Sequence, residues 1–121
     1  MPQVSRKITI IGGAAVDIIS RSNSLVAGSN NSHVGKIFVH EGGTTRNAAE
    51  CLGHLGLGDQ TTFISGIGDD DKSSLIENSL SRAGVSIDGL CKKVGERTAA
   101  FSGFINSNGD FLCGVADMDI L

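Results

Sequence analysis

The chain has 121 residues, the size of one small domain, and its 40% hydrophobic and 19% charged residues are an ordinary balance for a soluble globular protein. A net charge of −3, scattered Lys and Arg and no Trp or Tyr argue against nucleic acid as a partner. No run of about 18 apolar residues could span a membrane and no secretory signal pattern is present, so we expect a cytoplasmic protein without a membrane partner.

Cysteine and histidine give no metal or disulfide pattern. Cys51, Cys91 and Cys113 are an odd number without C-x-x-C spacing, so we expect buried or half-buried thiols. The three histidines form no i, i+4 pair and have no carboxylate at ligand spacing, so we predict no metal site. Only His33 has a sequence context that hints at a ligand.

The first predicted element is a buried strand of a parallel sheet, Ile8–Ile11, which is stopped by a glycine pair. Asp17 lies just beyond it, where ligands of open α/β sheets bind. Its two acceptor oxygens suit adjacent ribose hydroxyls, although a helix or turn cap is the alternative. Residues 20–35 are predicted to be a polar connection, and the alternation in Lys36–His40 predicts a strand of a second, small sheet.

A glycine turn then leads into a helix. Gly42 and Gly43 let the backbone approach a ligand, and Thr44 or Thr45 is predicted to cap the helix. Asn47 lies one turn in, where its amide can donate to and accept from hydroxyls. A small polyhydroxy ligand fits this pattern, and a plain strand-to-helix turn fits it equally well.

Two helices and a second strand follow this turn. Ala48, Leu52 and Leu55 mark one face of the first helix, which Gly56 is placed to end. Close helix-to-sheet packing is the predicted reason for Gly53 inside it. The next strand is 61–65, and 74–77 offers a capping box for a second helix that Gly84 can stop. This order predicts a doubly wound α/β domain.

The last third of the chain is predicted to form a β-hairpin. Apolar runs at 99–105 and 111–115 flank a polar segment that contains Asn108-Gly109, the strongest short hairpin signal. Together with the strand near Lys36, and a further one near residues 90–94, the hairpin would form the second sheet. The acidic run 69–71 is best explained as a helix N-terminus, which favours acids, because its spacing fits neither a dinucleotide fingerprint nor a calcium loop.

Four pieces of this chain, taken in order, resemble the N-terminal part of the PfkB (ribokinase-like) carbohydrate and nucleoside kinases. They are Ile10-Ile11-Gly12-Gly13-Ala14-Ala15-Val16-Asp17, Gly42-Gly43-Thr44-Thr45-Arg46-Asn47, Phe63-Ile64-Ser65-Gly66-Ile67-Gly68-Asp69-Asp70 and Ala83-Gly84-Val85. Within the family, segments 32–37, 46–47 and 115–120 look most like pseudouridine kinase. Lys72-Ser73-Ser74 departs from the family, which usually has a glycine there.

The resemblance implies a partial ribokinase-like doubly wound parallel sheet with a small β-sheet lid over the sugar site. Residues 1–121 would be the N-terminal portion of the kinase domain, with the core at about 5–20 and 42–88 and lid strands at about 34–41 and 89–116. The family's substrate-binding residues fall on Asp17, Gly42, Gly43, Asn47 and Thr98, and the last of these is equally well explained as a threonine suited to a strand. Further candidates for the same site are Ser32, His33, Arg46 and Asp117.

The implied activity is ATP-dependent phosphorylation of the 5′-hydroxyl of a ribosyl nucleoside, with pseudouridine expected and Mg²⁺ required. The alternatives are a generic sugar kinase of the ribose or fructose type and a non-catalytic module that binds a ribosyl ligand or a partner chain. The family's catalytic base and ATP pocket lie in a later motif, so we expect them beyond Leu121 and read the chain as an inactive part of a longer kinase. Similar kinases also suggest a homodimer formed through the lid strands.

Overall fold

The computed structural model describes residues 6–26 and 30–121, and its strands fall into two sheets. Residue 5 of the expected core and residues 27–29 of the expected polar connection lie outside these ranges. In chain order the elements are β1 (Ile8–Ile11), β2 (Ala15–Ser22), β3 (Gly35–Gly42), α1 (Thr44–Leu52), β4 (Thr61–Ile67), α2 (Asp71–Arg82), β5 (Leu90–Lys92), β6 (Ala100–Ile105) and β7 (Phe111–Asp117).

The first sheet is parallel and has the strand order β1-β4-β5. Alternate residues of β4 are buried, and its Phe63 and Ile67 pack in one cluster with Ala49 of α1 and with Ile76 and Leu80 of α2. Burying these apolar side chains against helices is what stabilises a parallel sheet. The predicted α/β class is therefore confirmed.

The second sheet has the order β3-β2-β6-β7, and only its central pair, β2 and β6, is parallel. The loop between β6 and β7 is organised by the Asn106 side chain, whose Oδ1 accepts hydrogen bonds from the backbone N–H groups of Asn108 and Asp110 at 3.0 and 2.9 Å. The hairpin is therefore where the Asn-Gly pair predicts it.

Two strands lie in a different sheet from the one expected. We expected residues up to 20 in the core, but β2 pairs with β3 in the second sheet from Ala15 to Ser22, so the polar connection is shorter than predicted. The expectation for 90–94 was also wrong, since β5 pairs in parallel with β4. Both errors have one cause: a short strand does not encode which neighbour it pairs with.

Both helices begin differently from the sequence expectation. Gly43 precedes α1 and no side chain caps it, while Thr45 lies against Gly12 instead. Helix α2 begins before the predicted capping box, with Asp70 as its cap, where Oδ1 accepts from the backbone N–H of Ser73 at 3.3 Å. The sequence predicted acidic residues at this helix N-terminus, and one of them, Asp70, supplies the cap.

The buried face of α1 also differs from the apolar stripe. Ala48 is exposed and Leu55 is 75% exposed, whereas Arg46 and Ala49 are buried. A π-helical turn, Gly53–Leu57, follows α1, with Gly56 at a φ of 80°.

The three cysteines are exposed rather than buried. In the described ranges no helix is both long and apolar enough to cross a membrane.

Gly53, directly after α1, lies in close contact with the C-terminal end of α2. A Cβ built on Gly53 would lie 2.8 Å from the Ala83 Cβ and still closer to the Ala83 carbonyl oxygen. The glycine therefore serves helix-to-helix packing at the end of α2 and not the helix-to-sheet packing that we expected.

We predict that Gly53→Ala destabilises the fold by about 1–3 kcal/mol, because the overpacking cost exceeds the gain of up to about 1 kcal/mol in helix propensity. Urea unfolding followed by circular dichroism measures the difference. Asn78→Ala, on the exposed part of α2, is the matched control and should be neutral or slightly stabilising. An equally stable Gly53→Ala protein would contradict this view of the helix contact.

Candidate functional site

The candidate site is built around Asp17, near the beginning of β2. Asp17 pairs with His40 of β3 and with Phe101 of β6, so the three side chains share one face of the second sheet. Asp17 is half-buried, and within residues 6–26 and 30–121 its carboxylate makes no hydrogen bond or ion pair. Every buried side-chain nitrogen and oxygen of the described chain has a partner, so the free carboxylate oxygens reach solvent.

The glycine turn lies directly under this carboxylate. A Cβ on Gly42 would lie 2.6 Å from the Asp17 Cγ, and a Cβ on Gly43 would lie 2.6 Å from the Gly13 carbonyl oxygen. Gly43 also has a φ of 96°, which side chains disfavour. Larger residues are therefore excluded at both positions, because the Asp17 carboxylate occupies the space beside Gly42 and the Gly13 carbonyl occupies the space beside Gly43. We call the surface formed by the end of β1, the turn and the carboxylate the recess.

Asn47 lies on the first turn of α1, where its backbone N–H donates to the Gly43 carbonyl oxygen at 2.9 Å. Its side chain is exposed, and Oδ1 accepts from Nη2 of Arg46 at 2.6 Å. This bond fixes the amide and leaves its NH₂ group without a bond to the described residues, so Asn47 can donate to a ligand oxygen.

Arg46 is a structural residue. It is 3% exposed, and its guanidinium donates to the carbonyl oxygens of Gly42 and Glu41 at 3.2 and 3.3 Å. It also reaches Ser79 of α2 at 2.9 Å and pairs with Glu50 at 2.8 Å. All of its nitrogens have partners inside the protein, so we leave Arg46 out of the proposed site.

Thr98 belongs to a different cluster, at the junction of β4 and α2. It is fully buried, donates its hydroxyl to Oδ1 of Asp70 at 2.6 Å and accepts from the Gly68 N–H at 3.0 Å. Its hydroxyl proton is thus not free for a ligand, and we leave Thr98 out of the proposed site.

The charge of Asp70 is stabilised by the same cluster. Burial by itself raises the pKa of Asp70, but hydrogen bonds from the Thr98 hydroxyl, the Lys72 ammonium and the Thr98 N–H outweigh burial and lower the pKa from 3.8 to about 2. The Lys72 Nζ lies 2.9 Å from Oδ2. The cluster therefore ties the loop before β6 to the N-terminus of α2.

The remaining predicted residues lie apart from Asp17. Ser32 and His33 are in the loop before β3, and His33 lines a cleft of about 230 Å³ beside Ser20–Ser22, toward the far end of β2. Asp117, at the end of β7, accepts from Nε of Arg97 at 2.9 Å. The structure thus places the Asp17 carboxylate against Gly42, with Gly43 and Asn47 next along the same turn, whereas Ser32, His33, Thr98 and Asp117 lie elsewhere.

Two residues beside Asp17 were not predicted. Phe101 and His40 flank it on the neighbouring strands, and the His40 ring stacks on Phe38 with centroids 6.2 Å apart. The alternation in each strand was visible in the sequence, but the register that places these rings next to Asp17 was not.

The family model described as "pfkB family carbohydrate kinase" matches residues 5–114. The chain therefore belongs to the pfkB family of carbohydrate kinases, and the resemblance seen in the sequence is confirmed at that level. The closer resemblance to pseudouridine kinase stays a prediction. A comparison with curated proteins found no significant match.

Solved structures give the same fold. The chain is similar to a carbohydrate kinase from Agrobacterium tumefaciens, with 26% identity and a TM-score of 0.81 over 95% of this chain. It is also similar to a putative sugar kinase from Clostridium perfringens, with 26% identity and a TM-score of 0.82 over 98%. Ribokinase from Arabidopsis thaliana, complexed with ribose and ATP, matches over 93% of this chain with 21% identity and a TM-score of 0.80. The chain spans 36% of each of these proteins.

Within residues 6–26 and 30–121, no three His, Cys, Asp or Glu side chains come together as a metal-binding group. The chemistry that the recess can perform is acceptance and donation of hydrogen bonds to hydroxyl groups.

We predict that Asp70→Asn lowers the free energy of unfolding by about 1–2 kcal/mol near pH 7, since asparagine still caps a helix but loses the stabilised charge. Because the pKa of Asp70 is lower in the folded state, its contribution is fully present above about pH 4 and is lost as the pH falls toward 2. Urea unfolding at several pH values measures this. Asp71→Asn is the control in the same turn, and an equal, pH-independent loss in both proteins would contradict the prediction.

Proposed function

We propose that the native protein containing this chain transfers the γ-phosphoryl group of ATP to a hydroxyl of a sugar or ribosyl compound, and that this chain holds the acceptor. Family membership supports the reaction class. The observation that carries the proposal for this chain is the unpaired Asp17 carboxylate, which stands over the glycine turn and is open to solvent. A ligand that covers the carboxylate removes its hydration, which costs free energy unless the ligand donates hydrogen bonds in place of the water. A ligand with hydroxyl donors is therefore favoured.

Each member of the recess has a defined task. Asp17 accepts hydrogen bonds from two neighbouring hydroxyls, and Asn47 donates from its free NH₂ group. Gly42 lets the Asp17 carboxylate lie against the turn, and Gly43 lets the turn pass close to the Gly13 carbonyl. Holding the acceptor in one orientation lowers the barrier, because most of the catalysis in phosphoryl transfer is positioning and charge stabilisation. The groups that hold ATP, Mg²⁺ and the attacking hydroxyl's proton are proposed to lie outside residues 1–121.

For the substrate we propose a ribosyl nucleoside, with pseudouridine as the first compound to test. The support is the likeness of segments 32–37, 46–47 and 115–120 to pseudouridine kinase. A ribose or fructose kinase is equally compatible with the recess, because Asp17 and the glycine turn contact hydroxyls that all three compounds carry.

The test is ATP consumption by the native full-length protein with pseudouridine, ribose or fructose as acceptor. We predict that Asp17→Asn lowers kcat/KM by about tenfold to a hundredfold, because an amide replaces a carboxylate that accepts charge-assisted hydrogen bonds. Asp88→Asn removes a carboxylate from an exposed loop and serves as the matched control.

Unchanged kcat/KM in Asp17→Asn would remove this residue from the site. Binding of a ribosyl compound without ATP consumption by the native protein would instead favour the non-catalytic module. Activity with only one of the three acceptors assigns the substrate class.

We also propose that the second sheet pairs with its counterpart in another copy of the chain. Its face opposite Asp17 exposes Ile37, Val39 and Val115 by 71, 52 and 72%, and covering such a row favours association. We predict a dimer whose dissociation constant rises at least tenfold in a Val39→Asp and Val115→Asp double variant, measured by sedimentation equilibrium. Val94→Asp, at a residue 87% exposed, is the control, and a wild-type monomer at all concentrations would refute the pairing.

A further inference from the structure

The Asn47 amide is held in one orientation by the side chain that precedes it. Its Oδ1 accepts a hydrogen bond from Nη2 of Arg46 at 2.6 Å, the shortest of the five hydrogen bonds that this guanidinium makes. An asparagine amide has an accepting end and a donating end, and a half-turn of the amide exchanges them. A half-turn here would place the NH₂ group against the guanidinium, so that two donors would meet. The contact therefore allows only one orientation.

The Arg46 guanidinium cannot turn away from this amide. The residue is 3% exposed, and its other bonds run in different directions. Nε donates to the Gly42 carbonyl oxygen at 3.2 Å, Nη1 donates to the Ser79 hydroxyl at 2.9 Å, and Nη2 also donates to the Glu50 carboxylate at 2.8 Å. Because a guanidinium is planar, bonds at all three nitrogens fix both its position and its tilt. The orientation of Asn47 is therefore set from inside the protein.

This orientation gives the exposed end of Asn47 a defined polarity. Within residues 6–26 and 30–121 its NH₂ group makes no hydrogen bond, and the side chain is exposed. The free end thus offers donors and no acceptor, whereas the Asp17 carboxylate offers acceptors and no donor. An asparagine that rotated freely would bind either kind of ligand group. The fixed one selects groups that accept a hydrogen bond.

We infer that Arg46 is a positioning residue for ligand binding, which touches no ligand itself and fixes Asn47 as a hydrogen-bond donor. The ligand atom opposite Asn47 must then be a hydrogen-bond acceptor. The inference rests on the proposed function, because it requires the recess to bind a hydroxyl compound. A hydroxyl, ether or carbonyl oxygen meets the requirement, and a protonated amine does not, since it can only donate.

The alternative is a purely structural role for Arg46. The guanidinium also bonds the carbonyl oxygens of Gly42 and Glu41, so its replacement would weaken binding if the turn beside Asp17 were deformed. In that case the loss does not depend on the side chain at position 47. If Arg46 acts through the amide, the loss disappears once the amide has been removed. A double-mutant cycle separates the two roles.

The experiment is calorimetric titration of the native full-length protein with pseudouridine, ribose and fructose. Arg46→Lys keeps the charge but replaces the planar fork by an ammonium group, and it is expected to weaken binding by about three- to tenfold, the effect of one neutral hydrogen bond. In an Asn47→Ala background the same change is expected to alter binding by less than about twofold. Arg82→Lys, at an exposed guanidinium that lies 3.5 Å from Oε1 of Glu41, is the matched control.

A second comparison leaves the guanidinium unchanged. Asn47→Asp keeps the contact with Arg46 as an ion pair and adds an acid near a helix N-terminus, so the fold is expected to be retained. It also replaces the donor by an acceptor. We therefore expect Asn47→Asp to bind at least about threefold more weakly than Asn47→Ala. An amide that accepted from the ligand would give the opposite order, because a carboxylate is the stronger acceptor.

The outcomes distinguish the two proposals. Equal losses from Arg46→Lys with and without the Asn47 amide, or no loss in either background, overturn the positioning role. Binding by Asn47→Asp that is as tight as that of the wild type overturns it too, and this comparison decides alone if circular dichroism shows that Arg46→Lys is unfolded. These results leave the proposed function standing. A wild-type protein that binds none of the three compounds overturns the proposed function, and the inference with it.

Discussion

A buried guanidinium holds together the parts from which the recess is made. The Arg46 guanidinium donates hydrogen bonds to the carbonyl oxygens of Gly42 and Glu41, to the Glu50 carboxylate on its own helix and to the Ser79 hydroxyl on α2. A buried charge is tolerated only where it is paired and hydrogen-bonded, and the cost of losing one partner makes such a network specify a single arrangement. The turn below Asp17 is therefore fixed from behind, by groups that never meet a ligand.

The site also depends on the path of β2 between the layers. Ala14 and Val16 pack in the first core and Ile18 packs against it, while β2 pairs with β3 over its whole length, from Ala15 to Ser22. The carboxylate is thus attached to the firm end of a sheet whose other end is solvent-exposed, and its glycine floor comes from the chain that returns along β3.

Local signals predicted much of this structure. The strand before Gly12, the glycine turn, the hairpin at Asn108-Gly109 and the acids at the start of α2 all follow from residue chemistry within a few positions. The failures were non-local. Arg46 was predicted as a ligand contact, but a sequence does not show the groups that surround the guanidinium in the fold, and only the pairing of β2 with β6 places Phe101 beside Asp17. Residue type therefore suggested the candidate site, but the partners of each side chain and strand had to come from the structure.

The parallel pairing of β2 with β6 has a consequence for how the chain folds. The β2–β3 hairpin is closed by a connection between residues 22 and 35, but β2 finds its other neighbour only when residues 100–105 are available. Closing a loop of that length lowers the conformational entropy of the chain before the contacts between the strands have formed, and this slows folding. During synthesis this edge of β2 therefore stays open until residues 100–105 have left the ribosome, and in that interval it is exposed to pairing with another nascent chain.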